Sequence, residues 1–372
     1  MNNIGKKDRV SCYQVVLLIT VYEVMTRLTY LSVASIPPAN QDMWIVSLTS
    51  IPYIILFCSP LLYLGNRFNN LTLLGYANRI MGRILGKIIG IFYTIFLFIG
   101  LMLLLGVLVE ILNSSLFPET PTYVTASIML ITCIYISYGG FKNMARLGEI
   151  TIPFVIIMIF LFIALGYKNY DFKELLPVLK DSTYKQINAG AINIGIRFSE
   201  ITILAMMTPY LEVREDLNRI FFRSLMYSMG ISILIVVAVQ LSLGIEFVKH
   251  INFPFLTFTR LLALGRDIQG FDSLYIISWI MGNVIKISGY LYFTTLALEE
   301  IIGRRNQDFI IPVSVIALIL IILIKDRRPI LAATRSMQRF MFILSVIAIL
   351  IIPLIMLVAY FFRRNSLKQG KG

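Results

Sequence analysis

The chain has 372 residues, 58% hydrophobic and only 14% charged, with a mean hydropathy of +0.82. A soluble globular domain carries roughly 25% charged residues. The composition therefore excludes a soluble domain and sets the length against membrane crossings of about 20 apolar residues each. The net charge of +13 would raise nucleic acid as a partner in a soluble chain. Here the basic residues sit mostly in short stretches between apolar runs, so the partner they imply is the lipid bilayer and no nucleic acid.

In chain order the apolar runs predict ten membrane helices, over 11–33, 44–64, 88–112, 124–138, 150–167, 187–207, 224–243, 274–298, 309–324 and 341–362. The first run is long and lacks a small-residue cleavage site, so it reads as a retained helix rather than a signal peptide. Prolines punctuate several runs: Pro52 and Pro60 in the second, Pro153 in the fifth, Pro312 in the ninth and Pro353 in the tenth. Each frees a carbonyl that neighbouring groups must re-satisfy, which kinks a membrane helix without excluding it.

Two stretches do not span. Residues 71–86 alternate apolar positions with Arg79 and Arg83 and read as an interfacial or re-entrant helix. Residues 253–260 are apolar within the longest outer loop. They read as a lid packed back on the helices, or equally as a surface helix without gating.

Orientation follows the basic residues. With a cytoplasmic N-terminus, the inner loops of the first half hold Arg67, Arg79, Arg83, Lys87, Lys142 and Arg146, and the first two outer loops hold none. The C-terminus is then cytoplasmic as well. The basic segment 325–339 falls on the outer side and disobeys the rule.

The chemistry-bearing inventory is short. Cys12, Cys58 and Cys133 lie in apolar runs without a CxxC spacing, and His250 is the only histidine. No phosphate-binding loop, GxSxG or HExxH motif is present. The chain therefore reads as no enzyme, with no cofactor and no metal site.

Ionisable residues at membrane depth cost about 2.5–3.5 kcal/mol each on insertion scales and are functional candidates by default. Glu23 and Arg27 lie mid-way along the first run, four apart on one helix face. They are candidate ligand contacts, or an internal pair that lowers the cost of insertion. Arg197 and Glu200 follow Asn188, Gly190, Asn193 and Gly195 in the sixth run. That composition reads as a broken helix whose freed groups meet a ligand, with Asn193, Gly195, Arg197 and Glu200 as candidate binding residues. Close helix packing at the glycines is the plainer alternative. Lys286 is mid-way along the eighth run. It needs a carboxylate partner, Glu23 or Glu200, and is a candidate fixed cation standing where a sodium ion would sit in a coupled transporter.

Five stretches in order carry a family resemblance. They are 73–87 (LLGYANRIMGRILGK), 138–149 with its Ala145-Arg146 and Glu149, 175–179 (LLPVL) with Phe198-Ser199-Glu200, 252–257 (NFPFLT) with Arg260, and 272–280 (DSLYIISWI). In these the chain resembles the permease, or B-type, subunit of spore germination receptors, within the amino acid–polyamine–organocation transporter superfamily. The resemblance implies an all-α, LeuT-like membrane fold: an inverted five-plus-five repeat with helices one and six broken at midplane. The chain would form a single polytopic unit over 1–372, with halves at about 11–167 and 187–362. It further implies a subunit that senses a small-molecule germinant, an amino acid or similar, in the inner spore membrane or cell membrane. Its partners would be an A-type membrane subunit and a C-type lipoprotein. The competing readings are an active amino acid or amine permease of the same fold, and a scaffold whose cavity binds nothing. One departure is visible: no glycine lies between Gly5 and Gly65, where such folds break their first helix.

Overall fold

A computed structural model of the chain describes residues 9–30, 34, 36–211, 217–263, 270–327 and 330–369, and the side chains among these other than 325–336 and 365–369. Arg214, Arg266 and Arg328, basic residues that bear on orientation, lie outside the described residues.

The helices in chain order are α1 (Cys12–Thr29), α2 (Met43–Arg67), α3 (Leu73–Met81), α4 (Arg83–Ser115), α5 (Thr122–Tyr138), α6 (Gly140–Leu165), α7 (Tyr184–Ile196), α8 (Ile201–Met207), α9 (Leu217–Leu243), α10 (Ile245–Val248), α11 (Pro254–Arg260), α12 (Phe271–Ile302), α13 (Gln307–Arg327), α14 (Ile330–Val346) and α15 (Ile352–Gln369). A π-helical turn, Ile347–Ile351, joins the last two. Among the described residues eight helical runs are long and apolar enough to cross a membrane by length and composition, the α7–α8 pair counting as one and Met337–Arg364 as another. The 18-residue α1, which carries Glu23 and Arg27, and the 17-residue α5 bring the number to the ten expected.

The first and sixth helices start alike. Ser11 and Gln14 form a capping box at α1, with Gln14 N–H donating to Ser11 Oγ at 3.3 Å and Ser11 N–H to Gln14 Oε1 at 2.9 Å. Thr183 and Gln186 do the same at α7. Both boxes satisfy donors that a helix start otherwise leaves orphaned. Beyond their starts the two diverge. Helix six stops at Ile196, turns over residues 197–200 and restarts at Ile201, which is the break its Gly and Asn content predicts. Helix one runs unbroken through Glu23 and Arg27 and ends at Thr29, where Tyr30 turns extended (φ −132°, ψ 121°).

The stretch 71–86 divides in two. α3 buries Leu73, Leu74, Tyr76, Ala77 and Ile80, and Arg79 lies over the Phe68 ring. Gly82, at φ +86°, makes the turn into α4, a conformation only glycine adopts freely. The segment 325–339 is largely helical rather than an open loop, since α13 reaches Arg327 and α14 begins at Ile330.

α12 is the centre of the bundle. It packs along α4, α6 and α5, and against α1, and is buried almost throughout 275–297. Gly282 and Gly289 set the α1 contact: a Cβ on the first would strike Met25 Sδ and one on the second Tyr22 Oη. The small residues let α1 lie against the α12 backbone, the usual device for close helix approach in lipid. Polar groups then bridge the seam. Tyr22 Oη donates to the Ile285 carbonyl at 3.3 Å, Tyr275 Oη to the Leu28 carbonyl at 3.1 Å, and Trp279 Nε1 to Thr29 Oγ1 at 2.9 Å.

Candidate functional site

A cavity of about 570 Å³ opens beside this seam. Its rim holds the exposed Lys249, His250 and Asn252, between α10 and α11, and Arg339 of α14. Its floor holds the buried Glu23, Glu200 and Lys286. Three helices meet there, α1, the break of helix six and α12.

Lys286 organises the floor. Its side chain is 1% exposed and its ammonium has three acceptors: Glu200 Oε1 at 2.7 Å, the Tyr22 carbonyl at 2.5 Å and Thr26 Oγ1 at 2.6 Å. All three donors of the ammonium are used, one on helix six and two on helix one. A lysine at this depth costs several kcal/mol unless paired and hydrogen-bonded, and both conditions are met. The Tyr22 carbonyl accepts from Thr26 Oγ1 as well, at 3.1 Å. An unbroken helix thus turns a backbone acceptor toward a cation without unwinding.

Glu200 reaches this point because it begins α8 at the break, and helix-six residues Ser199 and Arg197 also line the cavity. Glu23, one turn before Arg27 on α1, is buried on the same cavity floor as Glu200. Its Oε1 is buried and has no hydrogen-bond partner among the described residues. An unsatisfied buried acceptor costs about 1–3 kcal/mol. Arg27 lines the cavity beside it.

The remaining predicted residues stand further back. Asn193 does not line the cavity; its Oδ1 accepts from Arg197 Nε at 2.8 Å and aims the guanidinium, which also lies 5.3 Å from the Phe342 ring centroid. Gly195 does not line it either. A Cβ there would sit 3.1 Å from the Phe57 ring and 3.2 Å from Tyr53 Cβ, so it serves the approach of α7 to α2. Of the lining residues absent from the candidates drawn from sequence, Lys249, His250, Arg339 and Phe342 come from loops and from α14 and carry no local signal. Thr26 and Asn283 do carry one, being polar residues one turn from Tyr22 and Lys286 in otherwise apolar runs. Among the lining residues five are cationic (Arg27, Arg197, Lys249, Lys286 and Arg339) and two are carboxylates.

Contacts also join helices one and six at the opposite end. Val10 N–H donates to the Tyr210 carbonyl at 2.8 Å, tying the start of helix one to the end of helix six. Tyr210 packs against Phe141, and its hydroxyl is 3.3 Å from that of Tyr292.

A family model described as "Spore germination protein" matches residues 9–330. Among curated proteins the chain is 22% identical over 203 residues to spore germination protein KB of Bacillus subtilis (strain 168), covering 54% of each. It is 24% identical over 225 residues to GerQB of Bacillus cereus, covering 57% of this chain and 58% of that one. The chain thus matches somewhat over half the length of these relatives. Among solved structures it is similar to a substrate-bound, outward-open Na⁺-coupled sialic acid symporter (TM-score 0.62, 12% identity, 92% of this chain and 79% of that one). It is also similar to MHP1, a nucleobase-cation-symport-1 family transporter, in a closed conformation (TM-score 0.61, 13% identity, 100% and 85%). At such identities the likeness establishes the LeuT-like fold alone.

Proposed function

The chain belongs to the spore germination protein family, and from that premise we propose that it is the membrane subunit of a nutrient germinant receptor. It senses a small molecule, an amino acid or similar, in the cavity between α1, the helix-six break and α12. Its two halves, about 11–167 and 187–362, are the repeats that move against each other. A-type and C-type subunits in the inner spore membrane receive the change.

The observation that carries this reading is the floor of the cavity. An unpartnered Glu23 oxygen lies beside the three-way Lys286 contact, and Arg197 is aimed nearby. A ligand ammonium suits Glu23, and a ligand carboxylate suits Arg197 or Arg27. Binding at that point acts on both helices that Lys286 holds to α12, so a ligand that favours another arrangement of those helices shifts their population.

The test is a germination dose–response in a strain whose only receptor contains this chain. Arg197→Ala and Glu200→Gln are expected to raise the ligand concentration for half-maximal germination tenfold or more. An unchanged concentration dependence for both would leave the chain a scaffold. Saturable uptake of the same ligand by the purified chain in liposomes would instead make it a permease, the activity for which its fold neighbours are known.

A further inference from the structure

A second cleft lies outside the bundle core, between α2, the start of α9 and α15, with a volume of about 720 Å³. These helix ends share one membrane face: α2 ends there, α9 begins there and α15 ends there. The cleft is basic at that face, where Arg67 closes α2 and Arg364 stands on α15, and among the described residues no acidic one lines it. Arg67 Nε donates to Tyr360 Oη at 3.0 Å. That bond fixes the guanidinium at the cleft and uses one of its five N–H groups.

Away from the face the lining becomes apolar, from Tyr63 through Leu62 and Pro60 to Ile55, with Leu357 opposite. Ile55 and Arg67 are twelve residues apart, about 18 Å along a helix. One leaflet of hydrocarbon is about 15 Å deep. Pro60 stands in the middle of this wall. It cannot donate to the Leu56 carbonyl, and Ser59 Oγ does so instead at 2.8 Å, so the wall exposes no orphaned acceptor to lipid. Exposed aromatic residues, Tyr63, Phe222 and Phe361, flank the basic end, the placement aromatic side chains take at headgroup depth.

We infer that this cleft is a binding site for an anionic glycerophospholipid, its phosphate on Arg67 and Arg364 and one acyl chain along α2 toward Ile55. Charge complementarity selects the occupant, since basic pockets between membrane helices hold anionic headgroups and a cleft this long and apolar suits a chain as well as a phosphate.

The test is native mass spectrometry of the full chain in detergent, titrated with phosphatidylglycerol and with phosphatidylcholine of the same acyl chains. The wild type is expected to retain phosphatidylglycerol at lower concentration. R67Q/R364Q is expected to lose about thirtyfold in apparent affinity for it, about fivefold per arginine, with phosphatidylcholine unchanged and R67K/R364K close to wild type. R364Q alone, a change at an exposed position, is expected to show the fivefold step if the double variant does not elute monodisperse. Equal retention of both lipids, an unmoved preference in R364Q, or displacement of the lipid by inorganic phosphate at matched ionic strength would each overturn the proposal.

Discussion

Helix one and helix six begin with the same device and reach the cavity by opposite means. Ser11–Gln14 and Thr183–Gln186 cap their helices identically. Helix six then breaks, and the break puts Arg197, Ser199 and Glu200 on the cavity wall. Helix one does not break at the same depth, yet it offers Glu23, Thr26, Arg27 and the Tyr22 carbonyl to the same space. A helix can present a backbone acceptor without unwinding when a tethered cation comes to it. Here that cation arrives from α12, where glycines leave room for α1 to approach.

Lys286→Met is the most severe way to break this symmetry. It leaves Glu200 buried without its cation, and the loss of one partner of a buried pair costs about 3–5 kcal/mol. The expected outcome is a lower unfolding temperature in detergent and no germination response, with partial recovery of stability in Lys286→Met/Glu200→Gln. Gly289→Ala attacks the other side of the contact. The new methyl meets the Tyr22 hydroxyl, which is held on Ile285, and overpacking of this kind costs about 1–3 kcal/mol. Gly282→Ala meets the flexible Met25 side chain and is expected to cost less in the same unfolding measurement.

Glu23→Gln sharpens the comparison functionally. It keeps shape and replaces the carboxyl of helix one alone by an amide, so it is expected to raise the half-maximal germinant concentration about tenfold, or about 1.4 kcal/mol, with the unfolding temperature little changed. Asn193→Ala, which releases Arg197 on helix six, removes one hydrogen bond to a charged group. A smaller rise is expected, because the amide oxygen only orients a guanidinium that keeps its other donors. The smallest effect is the shared one. Ser11→Ala and Thr183→Ala are each expected to lower stability by about 1 kcal/mol, and equal losses would mark the two helix starts as equivalent parts of the repeat.

Much of this is legible in the sequence because the bilayer makes charge expensive. Glu23, Glu200 and Lys286 stand out against apolar runs, and the need of a membrane-buried lysine for a carboxylate narrows its partner to two residues. The break of helix six is legible for a related reason: Asn188, Gly190, Asn193 and Gly195 are poor helix formers placed together. The cavity rim is not legible. Lys249, His250 and Arg339 lie among many other polar and basic residues, and only the packing of α10, α11 and α14 over the bundle selects them. Gly195 shows the reverse limit, since a glycine that loosens a helix and one that admits a neighbouring ring look the same until Phe57 is in place.

The three-way contact at Lys286 has one more consequence. A cation that is part of the chain has no off-rate and no concentration. Its presence at the floor of the cavity is the same in dilute buffer and in brine, and the same on a membrane that carries no ion gradient. Whatever enters the cavity therefore meets a charge set by the gene and not by the surroundings.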